Sequence, residues 1–225
     1  KVFLPREAGA LSKALNAAGL EVTTFPVQVP VVLVDGLDLG RADWSVVTSA
    51  RTVEALQGLG ARLPGRIAAV GKATAAALET AGYAVDLIPG KASAAGLVEE
   101  FPAGTGRVVI PGSALSKPDL PEGLRELGWQ VDVFPVYTME ATQEPAELAA
   151  QWKAGEFVAV VVTAGSVARV IDQRLGWPEG TRVLAIGQPT AKVLNELGVA
   201  ASVSPSPDAE GVARAAAELV GKGNA

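Results

Sequence analysis

The sequence predicts an α/β protein built as two similar doubly wound parallel-sheet lobes of five strands each. Three observations carry this. Short apolar runs alternate with helical patterns along the whole chain. Those runs are apolar on consecutive residues, as in strands covered on both faces. And the chain repeats itself: Gly19 to Val27 (GLEVTTFPV) returns as Gly128 to Val136 (GWQVDVFPV), Val46-Val47-Thr48 returns as Val161-Val162-Thr163, and residues 68–82 (AAVGKATAAALETAG) return as 184–198 (LAIGQPTAKVLNELG). The offset stays between 109 and 116 residues, too long for a solenoid repeat and fitting a duplicated domain.

Taken in order, Val2-Phe3-Leu4 reads as a strand, Gly9 to Ala18 as a helix and Glu21 to Thr24 as a second strand. Phe25 to Val34 is Pro-punctuated and β-branched, which holds it extended. Next come a strand at Val46-Val47, a helix at Thr52 to Gln57, a strand at Ile67 to Val70 and a helix at Thr74 to Ala81. Ala84 to Ile88 reads as a strand and Ser93 to Glu100 as a helix. Val108 to Ile110, a helix at Gly123 to Leu127 and an extended Phe134 to Thr138 follow. The last third reads as strands at Val158 to Val162 and Val183 to Ile186, with helices at Ser166 to Gln173, Thr190 to Leu197 and Ala209 to Val220. Gly19, Gly82, Gly128 and Gly198 stop helices as left-handed caps.

The order is therefore a short module, a long one, then each again. Periodicity alone permits two arrangements. Either the lobes are consecutive, with one hinge near Gly104 to Gly106, or the chain crosses twice and each short module completes the other copy's long one. The two Phe-Pro-Val segments suit two crossings.

Hydrophobic residues make up 49% of the 225 and charged ones 19%, which describes a packed protein, not a disordered one. Apolar runs fall far short of a membrane span, and KVFLPREAG has no signal-peptide layout. A cytoplasmic protein with no membrane association is expected. The net charge of -5 and the lack of a basic run argue against nucleic acid. With no His and no Cys, the Ser-His-Asp and Cys-His chemistries and the commonest zinc ligands are excluded. Asp35, Asp38 and Asp43 lack the order of a calcium loop and read as a solvated connection, so no metal is expected.

Ligands of open α/β sheets bind beyond the carboxyl ends of the strands, where helices begin. Those turns are Pro5-Arg6-Glu7, Thr48-Ser49-Ala50-Arg51, Gly71-Lys72-Ala73-Thr74, Pro111-Gly112-Ser113, Thr163-Ala164-Gly165-Ser166 and Gly187-Gln188-Pro189-Thr190. Free amides and the helix dipole make each an anion site, although Ser and Thr cap ordinary helices too. Six such turns facing one cleft would suit a ligand with several negative groups. Nucleotide fingerprints are missing: no G-x-G-x-x-G follows a strand, and Gly71-Lys72 is not a Walker sequence. Tyr137 follows Phe134-Pro135-Val136 on the second crossing, where it would overlook the cleft and could donate a proton, or simply anchor the linker. The four Trp residues read as packing.

These residues together resemble the uroporphyrinogen-III synthase family. The resemblance covers nearly the whole chain and rests on DWSVVTSARTVEAL (43–56), AAVGKATAAALETAGY (68–83), VVIPGSALSKPDLPEGLRELGWQVDVFPVYTM (108–139), VVVTAGSVARV (161–171) and AIGQPTAKVLNELG (185–198). It implies discontinuous lobes, 1–26 plus 141–225 and 35–133, joined by a two-stranded linker at 27–34 and 134–140. It also implies a cofactor-free lyase that closes hydroxymethylbilane, a linear tetrapyrrole with eight carboxylates, with loss of water and inversion of the last ring; a monomer is expected. By the same resemblance Tyr137 matches the linker tyrosine and is the catalytic candidate. Thr74 and Thr190 match the threonines of paired G-x-x-T turns, and Ser49 the serine of the first turn. The expected binding set is Thr48, Ser49, Arg51, Gly71, Lys72, Thr74, Gly112, Ser113, Thr163, Ser166, Gly187, Gln188 and Thr190. VTAGS at 162–166 and SALSKPDL at 113–120 depart from the family pattern. A non-catalytic two-lobed anion-binding protein is the alternative.

Overall fold

The structure, a computed structural model, describes residues 1–221. The chain divides into two compact units, Lys1–Val29 with the chain from Ala141 onward, and Pro30–Glu140.

In the first unit, β1 (Val2–Leu4), α1 (Ala10–Ala17) and β2 (Val22–Thr24) come before the chain leaves. After its return, α6 (Ala146–Lys153), β8 (Ala159–Val162), α7 (Gly165–Arg174), β9 (Arg182–Ala185), α8 (Gln188–Glu196), β10 (Ser202–Val203) and α9 (Ala209–Gly221) follow. The sheet runs β10-β9-β8-β1-β2 with every neighbour parallel. Alternation along the strands divides the core into two faces. Phe3, Val160, Val162 and Val183 pack with Trp152, Ile171 and Leu194 on one side; Val2, Leu4, Val161 and Leu184 pack with Leu15, Val212 and Ala216 on the other.

The second unit holds β3 (Gln28–Val32), β4 (Trp44–Val47), α2 (Ala50–Gly58), β5 (Arg66–Ala69), α3 (Lys72–Thr80), α4 (Ala94–Glu100), β6 (Arg107–Ser113), α5 (Asp119–Glu126) and β7 (Gln130–Ala141), whose first and last strands carry the chain across the unit boundaries. Its sheet runs β3-β7-β6-β4-β5. The β4, β5, β6 and β7 pairings are parallel. The Leu33 amide donates to the Val136 carbonyl and the Thr142 amide to the Val27 carbonyl, so β3 and β7 run antiparallel. Hydrogen bonding thus selects two crossings: the first short module pairs with the second long one through β1 and β8, and the reverse holds through β6 and β4.

Three differences from the sequence reading have physical causes. Ala84 to Ile88 makes only one bridge, at Leu87, and is not a strand. The Asp86 carboxylate takes the Ile67 amide at 2.8 Å in place of a backbone acceptor, so pairing with β5 is limited to the bonds from the Asp86 and Leu87 amides to the Ile67 carbonyl and from the Ala69 amide to the Leu87 carbonyl. The fifth strand of this sheet is β3 instead. Helix α6 has no counterpart in the sequence reading; Pro145 opens it, and Leu148 and Trp152 bury one face at i, i+4 spacing. Third, β7 carries a bulge opposite Gly112 and Ser113.

Asp43 and Asp38 serve the fold. Asp43 accepts the Arg107 amide at 2.8 Å, and Asp38 accepts the Gly40 amide at 2.9 Å. Among the described residues no group of His, Cys, Asp or Glu is placed to hold a metal. Nor is any described helix long and apolar enough to cross a membrane. Gly65 has φ +67°, and an added Cβ would lie 2.5 Å from the Asp43 carbonyl oxygen. Only glycine fits that turn.

Candidate functional site

In each sheet the strand-to-helix turns open at the carboxyl edge, and adjacent strands feed helices on opposite faces. In the second unit this switch lies between β4, followed by α2, and β6, followed by α5; in the first it lies between β8 and β1. Such switch points are where open α/β sheets leave a crevice.

First-turn amides of a helix have no acceptor within it. Some turns answer theirs internally. Ser49 is extended at the N-cap of α2, where its Oγ accepts the Arg51 amide at 3.2 Å, and Ser93 does the same for α4 through the Gly96 amide at 3.0 Å. Asp208 accepts the Gly211 amide at 2.8 Å in the first turn of α9. The Ser206 hydroxyl, and then the Gly211 amide, hold the Asp208 carboxyl below its ordinary value. A depressed folded-state pKa stabilises above the ordinary carboxylate value and is lost as pH falls through the folded one. Amide exchange at Gly211 is therefore expected to accelerate as pH drops below the ordinary carboxylate range, after correction for intrinsic rates, and Asp208→Asn to abolish that dependence. An unchanged profile in the variant contradicts the assignment.

Other turns have no such side chain. The N-caps of α3, α7 and α8 are Gly71, Ala164 and Gly187, none with a side-chain cap. Gly71 (φ -174°, ψ 171°) and Gly187 (φ -174°, ψ 174°) have nearly the same backbone, so the N-cap geometry repeats, while in the α8 turn the Thr190 amide donates to the Gly187 carbonyl at 3.1 Å and leaves Gln188 as the free donor. Three residues on, Thr74 and Thr190 are both buried. Lys72 and Gln188 begin the two helices, with Pro189 next after Gln188. Thr163 lies just before Ala164, while Ser166 Oγ already accepts the Gln28 amide group at 2.8 Å. The Arg51 guanidinium reaches Met139 Sδ at 3.8 Å.

At the switch point of the second unit lies a cavity of about 540 Å³. It brings together Thr48, Gly112 and Ser113 with Ser116, Lys117 and Arg125 over apolar walls that include Ile110 and Val133. It does not include Ser49, Arg51 or the α3 turn residues Gly71, Lys72 and Thr74. Arg125 is absent from the binding set expected from sequence, because it sits in the last turn of α5, eight positions past Lys117.

Tyr137 does not line this cavity. Val133 and Pro135 do, and strict alternation would place Tyr137 with them. Instead Gly112 pairs with Pro135 and Ser113 with Tyr137, so β7 carries one extra residue. The bulge turns Tyr137 to the same face as Val136, where it is 5% exposed in the core with Val47, Leu78 and Val109.

Each α/β unit thus carries a helix start whose N-cap glycine offers no side-chain acceptor, and such starts suit acidic groups. A family model, uroporphyrinogen-III synthase HemD, matches residues 9–214. The chain belongs to the uroporphyrinogen-III synthase family. It is 26% identical over 223 residues, covering 94% of this chain and 96% of the other, to an Archaeoglobus fulgidus protein that carries the provisional name of uroporphyrinogen-III synthase. Uroporphyrinogen-III synthetase from Helicobacter pylori is 16% identical, with a TM-score of 0.73 and 97% and 99% of the two chains covered. A methionine-substituted uroporphyrinogen III synthase from Thermus thermophilus is 20% identical, with a TM-score of 0.65 and 98% of each chain covered. These two structures share the fold. The family is one of porphyrin and heme biosynthesis.

Proposed function

We propose that this chain is a uroporphyrinogen-III synthase, a cofactor-free lyase that closes hydroxymethylbilane with loss of water and inversion of the last ring. The observation that carries this reading is the duplicated helix start without a side-chain cap, at Gly71-Lys72 and Gly187-Gln188, whose two glycines have nearly the same backbone angles. A substrate with eight carboxylates needs many anion sites, and a protein of net charge -5 has few cations to spare for them. Backbone amides at helix starts meet that need without added charge. The α7 turn, Thr163 to Ser166, adds a third such site.

Catalysis on this reading is chiefly positioning. The hydroxymethyl carbon loses its oxygen as water and forms the closing carbon-carbon bond, and the benzylic-type hydroxyl leaves readily. Holding a flexible chain in reacting geometry contributes several kcal/mol, on the order of the effective-molarity effects of tethered reactions. Tyr137 would give weak proton assistance, in keeping with its burial. Tyr137→Phe is expected to lower turnover about tenfold. Complete loss of turnover in a folded Tyr137→Phe protein contradicts the positioning account.

The test of the function itself is product identity. Incubated with freshly made hydroxymethylbilane, the protein is expected to give, after oxidation, the asymmetric type III porphyrin. The symmetric isomer alone, as from spontaneous closure, overturns the proposal.

A further inference from the structure

The two copies of the repeat differ at the turn that follows β1 in one and β6 in the other. Val2 pairs with Val22 and Val108 with Val131, equivalent positions of the two copies. From Val2 the next helix begins eight residues on, at Ala10; from Val108 it begins eleven residues on, at Asp119. The second copy therefore has three extra residues here. They fall in the segment that contributes Ser113, Ser116 and Lys117 to the cavity.

The helices that follow are both eight residues long and align at an offset of 109, so Arg125 stands where the first copy has Asn16. Arg125 is not free to wander. Its Nη2 donates to the Val131 carbonyl at 2.9 Å, which fixes the guanidinium and leaves its remaining N–H groups available. Lys117 is exposed at the lip and takes part in no ion pair among the described residues. Asp119 also lines the cavity, so one carboxylate faces two cations. Behind them the walls are largely apolar. A flat apolar ring with acidic arms matches that chemistry, since the ring is desolvated and its arms remain at a cationic lip.

We propose that this cavity is a subsite for one pyrrole ring with its carboxylate arms, with Lys117 and Arg125 as charge partners, and that it fixes the direction in which the linear substrate binds. The inference rests on the synthase reading for its substrate. The first copy carries neither the longer turn nor the arginine, so this subsite belongs to one copy alone and suits one end of a chain whose two ends differ.

The experiment combines steady-state kinetics with amide shift mapping by a monopyrrole that bears two carboxylate arms. Lys117→Gln is expected to raise KM for hydroxymethylbilane about tenfold with kcat within about twofold, and Lys117→Arg to restore KM. The monopyrrole is expected to shift amides of Ser113 to Asp119 in the unaltered protein, and to do so weakly in Lys117→Gln. Arg125→Gln should act in the same direction, with circular dichroism confirming that it folds. If the unaltered protein makes the type III isomer while Lys117→Gln keeps its KM, the subsite is overturned and the synthase reading stands. If no type III isomer forms but the monopyrrole still shifts Ser113 to Asp119 in a Lys117-dependent way, the synthase reading fails and the subsite stands.

Discussion

Trp152→Ala is expected to destabilise the protein by about 3–5 kcal/mol, a large part of the roughly 5–15 kcal/mol that holds a domain folded. The indole is 1% exposed and sits among Phe3, Phe157 and Trp177, with ring centroids 5.4, 6.1 and 6.4 Å away. Its Nε1 donates to the Gly176 carbonyl at 2.9 Å. Truncation therefore opens a cavity and strips a half-buried carbonyl of its donor at once. Urea unfolding should show a lower midpoint with an unchanged slope. A loss below about 1 kcal/mol would mean the site collapses without cost, against the packing described.

Gly165→Val carries the largest expected effect on activity. Gly165 is the first residue of α7, and a Cβ there would lie 2.6 Å from Val193 Cγ2 on α8. A branched side chain must push apart the two helices whose first-turn amides belong to the proposed carboxylate sites. Overpacking of this kind costs about 1–3 kcal/mol, so the variant remains folded. Misplacing a binding group by about 1 Å costs on the order of a hundredfold, and kcat/KM should fall by that much. Adding Val193→Ala makes room and is expected to recover most of the activity, a coupling that separate losses would not show. If Gly165→Val keeps full activity, the α7 turn is not part of the site.

The fold was legible where the signal is local. Consecutive apolar residues such as Val160, Val161 and Val162 mark a strand buried on both faces, and the burial confirms it. The duplicated glycines mark helix ends, as the positive φ of Gly19, Gly82, Gly128 and Gly198 shows. What escaped depends on partners distant in sequence. The side chain of Asp86 takes an amide of β5, which no run of residues 84–88 announces. One extra residue in β7 reverses the face of Tyr137, and a bulge leaves no mark in a pattern read by alternation. Among site residues, Thr48, Gly112 and Ser113 meet in one cavity, whereas Ser49 and Ser166 spend their hydroxyls within the protein. Composition cannot tell a capping serine from a binding one, because both roles use the same oxygen at the same turn.

On the synthase reading, backbone amides at helix starts grip most of the substrate's acid groups, with Lys117 and Arg125 serving one subsite. Amide hydrogen exchange with and without the cyclised octacarboxylate product tests this directly. Exchange is predicted to slow at the first-turn amides of α3, α7 and α8, including Thr74, Ser166 and Gln188. Unchanged exchange at all three helix starts, at product concentrations that saturate binding, would contradict it.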